Sequence, residues 1–221
     1  MLDLSAMAGY LPEFVEGFII TAQVSIISII GSFIVGLMVA LARVSTNKIF
    51  NFISLIYVDL FRNIPFIVLI FFGYYGLPEI GIYINAFWTG CLVLSIAVGA
   101  YVGETVRAGI LGIDKGIIEA ARSFGFSKLK LHRKIIRPIS LTVSVRTLGS
   151  VFINLILTTS ILSTITLNEL TGVSKVIASN TFRPFEVYVF LVLLYGALTF
   201  VISGLITLWH KRLNRYLEEG V

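Results

Sequence analysis

The sequence predicts an all-α, polytopic membrane protein with five transmembrane helices. Three observations carry that prediction. Hydrophobic residues make up 57% of the 221-residue chain and charged residues 13%, and the mean hydropathy is +0.96, well outside the mix of a soluble domain. The apolar residues fall in runs of about 20 or more, the length a helix needs to cross a bilayer, rather than in the alternation of a strand. The basic residues collect in alternate connections between those runs, as membrane topology requires.

The first run, Phe18–Ala42, follows Asp3, Glu13 and Glu16. An acidic flank and so long a run argue against a cleaved signal peptide, which starts basic and has a shorter core. The second, Phe50–Tyr75, carries Asp59, Arg62 and Asn63 near its middle, followed by Pro65. The third, Ala86–Val106, contains the lone Cys91, a small buried side chain with no second thiol to pair with. The fourth, Ile139–Ile165, includes Asn154, Thr158, Thr159 and Ser160, and the fifth is Val187–Trp209. Between the last two, Thr166–Glu186 is mixed and polar and is expected to form a short lip over the bundle.

Placing the connection after the first run in the cytoplasm puts Arg43, Lys48, Arg107, Lys115, Arg122, Lys128, Lys130, Arg133, Lys134, Arg137, Lys211, Arg212 and Arg215 on one side. That is thirteen of the seventeen Lys and Arg. Lys175 and Arg183 fall opposite, so the N-terminus is expected outside and the C-terminus inside. The net charge of +5 is thus accounted for by sidedness, and no nucleic-acid partner is expected. No G-x-x-x-x-G-K-[ST] loop is present, so this chain does not bind ATP in that way by itself. His132 and His210 each lack a second ligand at metal spacing, and no metal site is expected. The whole chain, 1–221, reads as one transmembrane domain with a hydrophilic cytoplasmic segment at about 107–138.

That segment reads IDKGIIEAARSFGFSKLKLHRKIIRP from Ile113 to Pro138. Glu119, Ala120 and Ala121 open a short helix, Gly125 permits a turn, and Leu129, Leu131, Ile135 and Ile136 have spacing compatible with a second helix. Small residues allow close approach of another protein's surface. An ordinary basic loop on anionic lipid explains the charges but not this order of residues. The order resembles the Glu-Ala-Ala loop of ATP-binding-cassette (ABC) import permeases, with Glu119, Ala120, Ala121, Gly125 and Pro138 at the matching positions. TAQVSIISIIGSFIVGLMVALARVS, YVDLFRNIPFIVLIFFGYYGLP and AYVGETVRAGI are similar to the first, second and end of the third spans of the branch serving histidine, arginine and glutamine. The likeness runs from about Thr21 to Leu213. The chain departs from the family pattern at Ile117, at Arg137 and at Leu157–Ile161, where a lysine is common.

The resemblance implies an ABC importer permease (MetI-like) fold in a bacterial cytoplasmic (inner) membrane. It implies alternating access driven by a cytoplasmic ABC ATPase dimer that binds ATP and Mg, with this chain itself no enzyme. It also implies a second permease copy or paralogue, an extracytoplasmic solute-binding protein and a polar amino acid as substrate. Gly116, Glu119, Ala120, Ala121 and Gly125 are the expected ATPase-coupling residues.

An ionisable side chain inside a span is costly unless paired or hydrated. About 1.5 Å per residue along the second run puts Asp59, Arg62 and Asn63 near the midplane, where they are expected to approach Asn154, Thr159 and Ser160. Arg62 offers a forked donor to a carboxylate and Asp59 an acceptor for an ammonium. Equally, Asp59 and Arg62 at helical spacing form a bracing pair. Glu104 and Arg107, three apart near a helix exit, are expected to form a structural or gate ion pair. The rival readings are a secondary transporter or channel, which calls for inverted repeats or a pore filter, and a non-transporting scaffold, which leaves the loop order unexplained.

Overall fold

A computed structural model gives the backbone of residues 4–218 and the side chains of residues 7–213. Asp3 and the side chain of Arg215, two of the charges that mark the sides, lie outside the described residues. Within these bounds every regular element is helical.

Helix α1, Leu11–Arg43, starts with Pro12 in its first turn, where the missing N–H costs nothing. Its polarity is that of a helix in lipid: Ile19, Ile26, Ile30, Ile34 and Met38 point outward, whereas Thr21, Ser25, Ser28, Ser32 and Gly36 are buried. Small residues inside let helices approach closely, since lipid already solvates the large ones. The buried stripe packs along α4, Ala86–Leu111, in the longest helix contact of the fold. A Cβ at Gly36 would stand 2.6 Å from Val102 Cβ, and one at Gly103 would stand 2.9 Å from Val39 Cβ.

Helix α2, Lys48–Asn63, is capped by Asn47, whose side chain accepts from the Ile49 N–H at 2.9 Å. It does not run straight on through the second run, Phe50–Tyr75, but breaks at Ile64 and Pro65. Proline disfavours helical geometry in the residue before it and has no N–H to donate, and Ile64 is extended at φ −91°, ψ 131°. The chain bends by 103° between Lys48–Asn63 and the rod Phe66–Ile80 that begins as α3, Phe66–Phe71. Four helical rods are long and apolar enough to cross a membrane, and the count reaches five if this bent pair is one span.

After α4, Asp114 caps the short α5, Lys115–Ser123, by accepting from the Gly116 N–H at 2.6 Å. The predicted second helix of this loop is not separate. Helix α6, Lys128–Leu131, continues through a π-helical turn, His132–Ile136, into α7, Arg137–Thr158, and a 3₁₀ turn, Thr159–Ile165. Pro138 lies in the first turn of α7, and the wide turn before it, closed by the Arg137 N–H on the His132 carbonyl, lets the helix run on.

The predicted polar lip is a helix, α8, Leu170–Thr181, followed by α9, Pro184–Glu218. Among the described residues the core is built in three clusters. One, with Met7, Phe14, Leu170, Ile177 and Val187, joins α8 to α1 and α9. Another, around Ile70, Leu94, Leu155 and Leu162, holds α3, α4 and α7 together. Ala40, Val102, Val106, Leu148 and Phe152 form the third, toward the α5 end.

Candidate functional site

The α5 hairpin is held by its own backbone. Gly125 adopts φ +75°, the left-handed region. Its N–H donates to the Arg122 carbonyl at 2.9 Å, and the Phe126 N–H donates to the Ala121 carbonyl at 3.2 Å. This pair of bonds is a Schellman closure, for which glycine is the unstrained residue. Ala121 turns inward and is buried, while Gly116, Glu119, Ala120 and Gly125 are exposed. Ile117 and Phe124 are exposed beside them, 44% and 83% accessible, although they lie outside the apolar rods. A surface with bare apolar groups, a carboxylate and small residues is suited to seat against a protein groove.

Two adjoining cavities run along α4 and α7. The first, about 300 Å³, is lined by Phe61, Tyr101, Asn154 and Thr158 among others, and the second, about 490 Å³, by Arg62, Tyr101, Glu104 and Thr147. Tyr101 and Val151 belong to both. Arg62 lies over the Tyr101 ring, 5.4 Å from its centroid, and the Tyr101 hydroxyl donates to the Arg62 carbonyl at 3.3 Å. The break at Ile64 and Pro65 thus sets the guanidinium against α4, at the end of one helix rather than midway along a continuous one.

For Asp59 and Arg62, expected either as ligand groups or as a brace, the contacts seen among the described residues are these: the Asn63 amide donates to the Asp59 carbonyl at 2.7 Å, and the Arg62 guanidinium engages Tyr101. Asp59, Arg62 and Asn63 are all exposed in this chain. On the α7 side, Asn154 lines the first cavity together with Thr158, whose hydroxyl donates to the Asn154 carbonyl at 2.7 Å. Thr159 and Ser160 are not brought there. The 3₁₀ turn at Thr159 rotates the chain, so Thr159 is fully buried with its hydroxyl on the Ile156 carbonyl at 2.6 Å, and Ser160 donates to the Leu157 carbonyl at 2.7 Å.

Glu104 and Arg107 are joined. The Arg107 Nε donates to Glu104 Oε1 at 2.9 Å and its Nη2 reaches the same oxygen. Arg43, at the end of α1, brings its Nε to 3.9 Å from Glu104 Oε2. One carboxylate therefore stands between two cations from two helices, at the rim of the cavity that holds Arg62.

Two features escaped the sequence reading. Tyr101 precedes Glu104 by three residues, hence on the same face of α4, and that spacing was the available signal. Glu169 is the other: fully buried, it accepts from the Thr171 and Gly172 N–H groups at 2.9 Å each and from the Tyr195 hydroxyl at 2.8 Å. It caps α8 and ties it to α9, and burial pushes its carboxyl above the usual range against the pull of these donors. Its signal is a carboxylate just ahead of a helical pattern.

Comparison with known proteins gives a consistent result. Residues 32–215 match the family described as "Binding-protein-dependent transport system inner membrane component". The "Probable glutamine ABC transporter permease protein GlnM" of Bacillus subtilis (strain 168) is 33% identical over 214 residues, covering 97% of this chain and 99% of that protein. A chain in the crystal structure of an amino acid ABC transporter with histidines superposes with a TM-score of 0.88 at 32% identity, covering 96% of this chain and 99% of that one. The inward-facing MetNI methionine ABC transporter shares the fold, with a TM-score of 0.76 at 19% identity over 92% of this chain and 97% of that one.

Proposed function

Because the chain belongs to the family of binding-protein-dependent transport system inner membrane components, and is the permease subunit of an ABC importer, we propose that it carries a polar amino acid inward by alternating access. The observation that carries this reading is the α5 hairpin. It sets Ile117, Glu119 and Phe124 bare on a short, internally closed helix whose neighbour, α6, is continuous with α7. A push on α5 is transmitted to α7 through the Schellman turn without crossing a flexible linker, and α7 carries Asn154 and Thr158. The partner ATPase dimer binds ATP and Mg, and Gly116, Glu119, Ala120, Ala121 and Gly125 form this chain's side of the joint.

Arg62 receives the solute carboxylate, because its planar fork suits two oxygens and it lies exposed at the wall of the paired cavities. Asp59, one turn earlier, receives the ammonium, and Asn154 and Thr158 meet the polar side chain. Glu104 and Arg107 close the α5 end of the path. A single chain leaves these cavities open, so a second permease, identical or paralogous, completes the pathway, and an extracytoplasmic binding protein delivers the solute. The α5 hairpin faces the cytoplasm, with the N-terminus outside and the C-terminus inside. Labelling of a cysteine at Ser127 from outside intact cells, in a Cys91→Ala background, contradicts that orientation.

The functional test is solute-stimulated ATP hydrolysis by the complex reconstituted with its ATPase and binding protein, against a panel of amino acids. Stimulation by polar amino acids is expected. Stimulation by none, or hydrolysis unaffected by removal of this chain, defeats the reading.

A further inference from the structure

A cavity of about 500 Å³ lies apart from the solute path, between the α5-side ends of α1, α4, α7 and α9. Its walls divide by chemistry. Phe33, Leu37 and Trp209 make an apolar slot, with Trp209 set edge-on to Phe33 at 6.3 Å between centroids. His132, Arg133 and Arg137 form its cationic wall, brought together by the π-helical turn before α7. Among the described residues no Asp or Glu lines it, and the ion pairs of Glu104 go to Arg43 and Arg107 instead.

Depth fits one leaflet. Phe33 lies ten residues before the end of α1 at Arg43, about 15 Å at the helical rise, and half of a roughly 30 Å hydrocarbon core is the same length. Trp209 sits immediately before His210, Lys211 and Arg212, the place of an interfacial aromatic. A cationic wall beside an apolar slot of that depth matches a phospholipid: phosphate at the arginines, acyl chain along Phe33 and Leu37. We infer that this cavity is a binding site for an anionic phospholipid of the leaflet on the α5 side, held by Arg133, Arg137 and His132 through its headgroup. Such basic pockets between helix ends are a recurring form of lipid recognition.

The test uses the delipidated complex of this chain with its ATPase in detergent. The probes are phosphatidylglycerol and phosphatidylcholine of identical acyl chains, with bound lipid read by native mass spectrometry. Wild type is expected to retain phosphatidylglycerol preferentially. Arg133→Gln with Arg137→Gln is expected to weaken it about 25-fold, about fivefold for each interfacial cation lost, with unchanged thermal stability in phosphatidylcholine. Leu37→Trp, which fills the slot and leaves the charges, is expected to weaken both lipids. Equal retention of the two lipids by wild type overturns the inference, as does undiminished phosphatidylglycerol binding by the arginine double variant. Displacement by equimolar inorganic phosphate overturns it in favour of a free-anion site. Binding that occurs only after the ATPase is stripped away overturns it in favour of a protein contact.

Discussion

Glu104→Gln isolates the charge cluster at the α5 end of α4. The carboxylate accepts from Arg107 Nε at 2.9 Å and also from its Nη2, with the Glu104 and Arg107 side chains 22% and 26% accessible. A fully buried pair that loses one partner costs about 3–5 kcal/mol, and a surface pair is worth about 0–1 kcal/mol. At this partial burial the loss of a charge-assisted bond should cost about 1.5–3 kcal/mol. Unfolding of the purified protein by sodium dodecyl sulfate measures it, and a double-mutant cycle with Arg107→Gln isolates the pair, with a coupling of about 1–2 kcal/mol expected. The cycle with Arg43→Gln should give less than about 0.5 kcal/mol, because 3.9 Å without a hydrogen bond is a weak contact. Additivity of Glu104→Gln and Arg107→Gln, or a larger coupling to Arg43 than to Arg107, refutes this assignment.

Gly36→Leu should destabilise by about 1–3 kcal/mol through overpacking, since its Cβ would stand 2.6 Å from Val102 Cβ; wild-type stability in the same unfolding assay would show that α1 and α4 are not in contact there. Glu169 binds its proton more tightly folded than unfolded, because burial raises its pKa. The stability it contributes is therefore full below the unfolded carboxylate value and declines as pH rises through the folded one. Thermal unfolding across that range should show the decline, and Glu169→Gln should flatten it; an identical slope in the variant contradicts the burial account. Arg62→Lys should weaken solute-stimulated hydrolysis, since lysine keeps the charge and loses the fork; unchanged solute dependence moves the carboxylate site elsewhere.

Much of the fold was legible because lipid imposes a simple rule on sequence: long apolar runs, with charges at their ends. α1, α4 and α9 follow it: each contains the run read from composition and extends beyond it, α1 by seven residues at its start and α9 by nine at its end. Pro65 announced a break, but its consequence, a 103° bend, depends on how α3 packs beneath α4. Continuity from Lys128 to Ile165 was hidden by Pro138, which suggests a helix start and is instead carried past by a wide turn. At the site, residue types were readable and orientations were not. Thr159 and Ser160 sit next to Thr158 in sequence, yet one 3₁₀ turn directs their hydroxyls to backbone carbonyls. Glu169 looks like a loop acid because only the fold brings Tyr195 to it.

The central claim is that α5 couples this permease to an ATPase, and Gly125→Asp with Glu119→Lys tests it most directly. A Cβ at φ +75° costs about 1 kcal/mol and Gly125→Asp adds a charged side chain to the exposed docking face, while Glu119→Lys reverses the charge of an exposed carboxylate. The measurement is ATPase co-purified per permease, together with solute uptake, from membranes holding equal amounts of each variant. The account predicts stoichiometric ATPase with wild type, and inserted variants that lose both the ATPase and uptake. Either variant retaining normal association and normal uptake contradicts it.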